Sequence, residues 1–226
     1  EVTSNLAEQN LSFITSYMLS NVIVLCKGGA VRTLEDIKGK KIRGVGTFGK
    51  IFGDLGANLV SMSIYKAYQG LGNGLLDCSL GYMSATIALK QHEASDSLTK
   101  LNWGTYTGLG IFINKDALTK LSPSQRKVID EVGADFINYL GENIMKADKR
   151  AEELLTQGVD GRKLEMITLP SSGSAQLYAA SQYHIKKWEK EAIDSGLSGK
   201  TMVENYKASL KKYSQERELN GYPWAR

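Results

Sequence analysis

The residues best suited to chemistry in this sequence are an arginine and the glycine-rich loop that follows it. Arg43 directly precedes Gly44-Val45-Gly46-Thr47-Phe48-Gly49-Lys50. This run matches the G-x-G-x-x-G pattern of dinucleotide sites and the first seven positions of a phosphate-binding P-loop. However, Ile51 stands where a P-loop needs Ser or Thr for magnesium, and residues 60–68 lack the acid that a dinucleotide site places near the ribose. The loop therefore fits a nucleotide site poorly.

The same loop also suits simpler anion binding. A tight turn at a helix start exposes backbone N–H groups that any anion can use. Arg43 lies at the carboxyl end of the predicted strand that leads into the loop, and ligands of open α/β sheets bind at the carboxyl ends of strands. A guanidinium there can hold a carboxylate through two parallel hydrogen bonds. On spacing alone, Arg43 suits a ligand clamp and a surface ion pair equally well.

Other catalytic and metal-binding patterns are missing from the sequence. It contains neither a G-x-S-x-G nucleophile elbow nor an H-E-x-x-H motif. The two cysteines, Cys26 and Cys78, and the two histidines, His92 and His184, show no metal-ligand spacing. The sequence leaves open whether the two cysteines pair, although their apolar stretches favour buried free thiols. His92 lies in a polar segment that we expect to be exposed. We therefore predict no catalytic residue, no metal and no cofactor.

Composition narrows the class of protein. The 226 residues suffice for one large or two small domains, and 42% of them are hydrophobic. The net charge of +4 is too small to predict nucleic-acid binding. The longest uncharged run, 9–26, is too polar and too short for a membrane-spanning helix, so we do not expect the protein to span a membrane.

Alternating short strands and helices must position Arg43 and its loop. This pattern in the first hundred residues predicts a largely parallel sheet covered by helices. Strands are predicted at 22–25, 41–45, 59–62 and 75–78, and helices at 52–59, 64–71 and 82–89. Ser63 is expected to cap the second of these helices, and 103–114 to form one or two strands.

The second half is mainly helical. Ser122-Pro123-Ser124-Gln125 is typical of a helix start, and apolar residues at steps of three and four continue to a predicted end near Gly158. Gly133 and Gly141 inside this helix of about thirty residues predict a bend or a close contact. A helix this long is expected to span two lobes. A strand at 163–169 and helices at 174–195 and 200–219 follow.

The order of these motifs resembles that of solute-binding proteins of tripartite ATP-independent periplasmic (TRAP) transporters. Val31-Arg32-Thr33-Leu34-Glu35-Asp36-Ile37-Lys38-Gly39-Lys40-Lys41-Ile42-Arg43 is similar to the family signature "tleDlkGkkiR", and Gly74-Leu75-Leu76-Asp77 to its "GvvDg". The resemblance covers about 22–158 well and the remainder loosely. It implies an α/β, two-lobed, periplasmic-binding-protein-like (type II) fold with mixed sheets and a long lobe-spanning helix.

The resemblance also implies a domain organisation. Lobe I is expected at 1–20 and 108–147, and lobe II at 21–107 and 148–226, with a solute cleft between them. Because family members are longer, about a hundred residues of lobe I are expected to be absent from the front, including any signal peptide. The protein is expected to be periplasmic and monomeric, with the TRAP permease subunits as partners.

The site implied by the resemblance centres on Arg43, which corresponds to the arginine that pairs with the substrate carboxylate. Alignment with the family motifs also implies six pocket neighbours: Thr47, Phe48, Ile64, Tyr82, Trp103 and Tyr106. For the aromatic residues among them, a position in the hydrophobic core is at least an equal alternative. Gly81 stands where sialic-acid and dicarboxylate members commonly have asparagine, and Ile23 replaces a second arginine. These departures favour an aromatic or branched carboxylic acid.

Three functions are therefore compared. The first is a non-catalytic solute-binding protein of a TRAP transporter that captures a small carboxylic acid. The second is a nucleotide- or dinucleotide-binding α/β enzyme built on Gly44 to Lys50. The third is a sensor or receptor domain with the same fold but without a transporter partner.

Overall fold

The computed structural model describes residues 6–105 and 109–226, which divide into two units interleaved along the chain. Unit 1 is drawn from Glu1–Met18, Thr107–Asn143 and Lys187–Arg226. Unit 2 is drawn from Leu19–Tyr106 and Ile144–Lys186. None of the helices in the described part of the chain is long and apolar enough to cross a membrane.

Unit 2 is built on a six-stranded mixed sheet with strand order β4-β3-β5-β2-β6-β8. Its strands are β2 (Asn21–Cys26), β3 (Lys41–Arg43), β4 (Asn58–Val60), β5 (Cys78–Tyr82), β6 (Ser97–Thr105) and β8 (Glu165–Thr168). β2 runs antiparallel to both of its neighbours, whereas β3 is parallel to β4 and β5, and β6 is parallel to β8. The expectation of a largely parallel sheet is confirmed, because five of these six strands share one direction and β2 runs opposite to them. Strand–helix alternation does not fix the direction of β2.

The core of unit 2 lies on both faces of the central strand β2. Val22, Val24 and Cys26 pack in one buried cluster, and Ile23 and Leu25 in another. Successive side chains of a strand point to opposite faces, so a strand buried on both faces has a continuous apolar run. The helices of this unit include α1 (Gly46–Asp54), α2 (Ala67–Gly72) and α3 (Met83–Ala88).

Unit 1 contains a two-stranded antiparallel sheet of β1 (Leu11–Tyr17) and β7 (Leu109–Asn114). Its helices include α4 (Lys115–Thr119) and α7 (Gly199–Asn220). Helices α5 (Pro123–Gln157) and α6 (Ser171–Asp194) each contribute residues to both units.

The long helix α5 confirms the prediction from its start signal and periodicity. Both internal glycines mark close contacts within unit 1, as expected. A Cβ atom on Gly133 would lie 2.9 Å from the side chain of Ile14, and one on Gly141 would lie 2.8 Å from the ring of Trp224. A side chain at either position would force its neighbour to shift, which gives glycine a packing advantage against its poor helix propensity.

Three predicted elements differ from the structure. Helix α1 begins at Gly46 rather than at residue 52, because close packing overrides the low helix propensity of its glycines. β5 begins at Cys78 rather than at residue 75, because the Asn73 side chain accepts the Leu75 N–H and forms a turn. Ser63 makes no side-chain cap, and the helical segment after it begins as a 3₁₀ turn.

Cys26 and Cys78 form a disulfide, so the expectation of free thiols was wrong. The two residues are direct partners in the register between β2 and β5. Sequence alone could not show this register, and apolar surroundings are as compatible with a disulfide as with a thiol. The bond closes a loop between residues 52 positions apart.

We expect the double substitution Cys26→Ala/Cys78→Ala to lower the free energy of unfolding by about 4 kcal/mol, the loop-entropy value for this separation. Urea denaturation followed by circular dichroism measures the change. The reduced wild type serves as a control and should unfold at nearly the same urea concentration as the double variant. Equal midpoints for the oxidised wild type and the variant would contradict the prediction.

Candidate functional site

Arg43 is held between the two strands that flank its own. It is the last residue of β3 and is only 4% exposed. Its Nε donates to the carbonyl oxygen of Met62 at 2.9 Å, and its Nη1 donates to that of Leu80 at 2.8 Å. Met62 follows β4 and Leu80 lies in β5, which are the neighbours of β3 in the sheet. The guanidinium is therefore fixed in orientation, and a surface ion-pair role does not fit so buried a side chain.

The glycines of the loop after Arg43 are explained by packing of helix α1 against β3. A Cβ atom on Gly44 would lie 2.7 Å from Cα of Gly49, and Gly46 has a φ of +57°. Glycine tolerates both the close approach and the left-handed backbone. This pattern does not require a phosphate ligand.

Asp36 organises the segment that leads into β3. Its Oδ2 accepts the backbone N–H of Thr33 at 2.8 Å and that of Arg32 at 2.9 Å. These two backbone hydrogen bonds, that of Thr33 first, lower the pKa of the Asp36 carboxyl below its ordinary value because they favour the charged form. The acid of the "tleD" signature therefore has a structural role here.

Asp77 fixes the first residue of β3. Its Oδ2 accepts the backbone N–H of Lys41 at 2.7 Å, and its own N–H donates to the Lys41 carbonyl at 2.9 Å. The Lys41 ammonium lies 3.9 Å from the other carboxylate oxygen. Asp36 and Asp77 thus hold the segment that ends in Arg43.

Two of the predicted aromatic neighbours lie together at the edge of the unit 2 core. The rings of Phe48 and Trp103 meet edge to face at 5.0 Å, and both residues are half-buried against that core. The indole Nε1 of Trp103 donates to Ser181 Oγ of helix α6 at 3.1 Å. This arrangement favours the core role for Trp103.

Two other predicted neighbours line one surface depression of about 330 Å³. Ile64 lies two residues beyond the Met62 carbonyl that holds Arg43, and Tyr82 lies two residues beyond the Leu80 carbonyl. The remaining lining residues are Tyr65, Ser84, Ala85, Ala88 and Leu89. The depression is mainly apolar and lies beyond the carboxyl ends of β4 and β5, the strands that flank β3.

The other predicted site residues are separate from these pairs. Thr47 is exposed in the first turn of α1, and Tyr106 lies outside the described residues. Sequence reasoning missed Ala85, Ala88 and Leu89, although their helical spacing of three and four residues was a usable signal. It also missed Gln91, a buried side chain whose amide donates to the Ile64 carbonyl at 3.2 Å.

Both histidines lie in structural surroundings within unit 2. His92 is buried, not exposed as its polar sequence context indicated, because its 3₁₀ turn packs against helix α3. His184 of helix α6 places its Nε2 2.6 Å from Asp54 Oδ2 at the end of α1.

The chain is similar to known bacterial solute-binding proteins. A model of the DctP family, described as bacterial extracellular solute-binding protein, family 7, matches residues 1–191. The periplasmic ectoine-binding protein of the TeaABC TRAP transporter of Halomonas elongata is 19% identical with a TM-score of 0.80. The similarity covers 93% of this chain and 67% of that chain.

Two further TRAP solute-binding proteins are similar. One from a marine metagenome, specific for aromatic acid ligands and in complex with metahydroxyphenylacetate, is 22% identical with a TM-score of 0.78, covering 94% of this chain and 69% of that one. One from Rhodoferax ferrireducens with bound malonate is 23% identical with a TM-score of 0.75, covering 91% and 66%. The chain thus spans about two thirds of their length. These similarities confirm the predicted two-lobed α/β fold.

We expect Asp36→Ala to lower the free energy of unfolding at pH 7 by about 1 kcal/mol, a typical value for a lost helix-terminus cap. Because the folded-state pKa of Asp36 is lowered, its stabilisation is present above the unfolded value of about 3.9 and is lost as pH falls through the folded-state value. Urea titrations of wild type and variant from pH 7 to pH 3 should therefore converge at low pH.

Glu35→Ala is the matched control for this prediction. Glu35 is the exposed neighbour of Asp36 and pairs only with Lys38 among its described ion-pair contacts. A surface pair of this kind contributes about 0–1 kcal/mol. A wild-type advantage over Asp36→Ala that stayed constant down to pH 3 would refute the role assigned to the Asp36 carboxylate.

Proposed function

The chain belongs to family 7 of the bacterial extracellular solute-binding proteins, and from this premise we propose that it is the solute-binding component of a TRAP transporter. It captures an organic carboxylic acid in the periplasm and delivers it to the membrane permease, without catalysis. The Cys26–Cys78 disulfide supports an oxidising compartment such as the periplasm.

The observation that carries this proposal is the fixed guanidinium of Arg43. Two of its acceptors, the Met62 and Leu80 carbonyls, are backbone groups of neighbouring segments and hold the guanidinium in one orientation. A guanidinium that is already oriented loses little conformational freedom when a carboxylate binds. Low surrounding polarity strengthens such a charge-assisted contact.

The substrate class is inferred from the depression that Ile64 and Tyr82 line. Ile64, Tyr65 and Tyr82 present apolar and aromatic surface beyond the strands that hold Arg43. Gly81 supplies no polar side chain, and a Cβ atom there would lie 3.9 Å from the Ile64 side chain. We infer an aromatic or branched carboxylic acid. The solved relatives with metahydroxyphenylacetate and with mandelate support this inference by analogy.

A thermal-shift panel separates this function from the nucleotide-using alternative. We expect benzoate or mandelate to raise Tm more than malonate does, and NAD and ATP to leave it unchanged. The protein should first be unfolded, dialysed and refolded to remove any copurified ligand. A shift with NAD or ATP and none with carboxylates would overturn the proposal. A sensor domain would share the carboxylate response, and a pull-down of the permease separates that case.

Arg43→Lys tests the clamp more cleanly than Arg43→Ala, because lysine keeps the charge but lacks the planar fork. We expect the affinity for the best acid of the panel to fall about 10- to 100-fold, which corresponds to the loss of a strong charge-assisted hydrogen bond. Isothermal titration calorimetry measures the affinity, and the urea midpoint shows whether the variant is folded at that temperature.

Arg32→Lys is the matched control, because Arg32 is exposed and pairs with Glu165 on the surface. This variant should bind the acid as the wild type does. If a folded Arg43→Lys variant also bound within twofold of the wild type, Arg43 would not be the clamp.

A further inference from the structure

A second cluster of ligand-type side chains lies in unit 2 and does not include Arg43. His92 and Glu93 belong to the 3₁₀ turn Gln91–Ala94, and Asp160 belongs to the turn that follows helix α5. Each residue offers one ligand atom, and the three atoms lie within 4.8 Å of one another. Sequence spacing could not reveal this cluster, because Asp160 is remote from the other two residues along the chain.

The His92 imidazole points to a ligand at this cluster. The residue is only 3% exposed, and its Nδ1 lies 3.2 Å from the Thr86 carbonyl oxygen. A carbonyl only accepts, so Nδ1 carries the proton and Nε2 keeps its lone pair. Nε2 is buried and has no hydrogen-bond partner among the described residues. A buried polar atom without a partner is costly and calls for an explanation.

The same imidazole has the usual orientation of a metal ligand. A metal-bound histidine typically donates its other ring N–H to a carbonyl or carboxylate, which fixes the tautomer and the ring. The Thr86 carbonyl fills that role here. His92 therefore has a fixed ring and a lone pair on the nitrogen that has no protein partner.

The two carboxylates are held on adjoining turns. Asp160 has a φ of +51° in a turn closed by hydrogen bonds between Val159 and Arg162. The Arg162 guanidinium donates to the backbone carbonyl of Glu93, which ties this turn to the one that carries His92. The carboxylates of Glu93 and Asp160 thus approach the imidazole from different segments.

The present contacts of the Glu93 carboxylate are weak, so they would compete little with the binding of a cation. Its Oε2 accepts the Tyr68 hydroxyl at 3.3 Å, and its Oε1 lies 3.6 Å from the ammonium of Lys90. Lys90 is 72% exposed, and such surface pairs contribute about 0–1 kcal/mol.

We propose that His92, Glu93 and Asp160 bind a divalent transition-metal ion, with Zn²⁺ as the best match. One imidazole and two carboxylates form a mixed nitrogen and oxygen donor set that suits Zn²⁺ better than Mg²⁺ or Ca²⁺. Bonds of about 2.0–2.2 Å require the ligand atoms to approach one another, and the exposed Asp160 side chain can rotate inward. Water completes the coordination. The ion would join the end of α5 to the turn before β6.

The test uses the tag-free full chain after EDTA treatment, with ZnCl₂ as the probe. Native mass spectrometry should show one zinc per chain, and zinc at a hundred times its Kd should raise Tm by about 5–10 °C. Asp160→Asn and Glu93→Gln should each weaken binding about tenfold or more while leaving the metal-free Tm nearly unchanged. Asparagine tolerates the left-handed backbone at position 160, so that variant keeps the fold.

His184→Gln is the matched control, because His184 also lies against a carboxylate, that of Asp54. It should bind zinc as the wild type does, whereas a folded His92→Gln variant should not. The proposal is overturned if the wild type binds no zinc, if Asp160→Asn and Glu93→Gln bind it unchanged, or if His184→Gln abolishes binding.

Discussion

The architecture around the candidate site depends on the need to bury the charged side chain of Arg43 without losing its hydrogen bonds. Removing a guanidinium from water is costly unless fixed acceptors replace the water. The carbonyls of Met62 and Leu80 meet this need because β4 and β5 flank β3, Met62 follows β4, and Leu80 lies in β5. The strand order of unit 2 is therefore linked directly to the orientation of one side chain.

The acids of the recognised signature contribute to this arrangement at a distance from any ligand. Asp36 closes the turn before β3, and Asp77 accepts the N–H of the first residue of that strand. Both carboxylates act on backbone groups, where a short, charged acceptor is difficult to replace. The spacing of Asp36 and Asp77 relative to Arg43 thus reflects the length of the segment that leads into β3 and ends in Arg43.

Sequence reasoning succeeded where a signal is local. The start and periodicity of helix α5 and the apolar run of β2 each depend on neighbouring residues. It failed where the outcome depends on register or tertiary packing. The disulfide required the pairing of β2 with β5, and helix α1 formed despite three glycines because Gly44 and Gly49 pack closely. Burial of His92 in a polar segment likewise depends on helix α3, which no local pattern encodes.

The interleaving of the two units has a consequence for biosynthesis. Unit 2 has all its segments once residue 186 has been made, whereas unit 1 also requires Lys187–Arg226. A chain that emerges from its amino end can therefore assemble the six-stranded sheet while unit 1 is still incomplete. Its last strand, β8, joins β6 across the whole of helix α5, a long-range pairing that slows folding. Until β8 has joined the sheet, β6 forms an open edge whose unpaired backbone groups can pair with another chain.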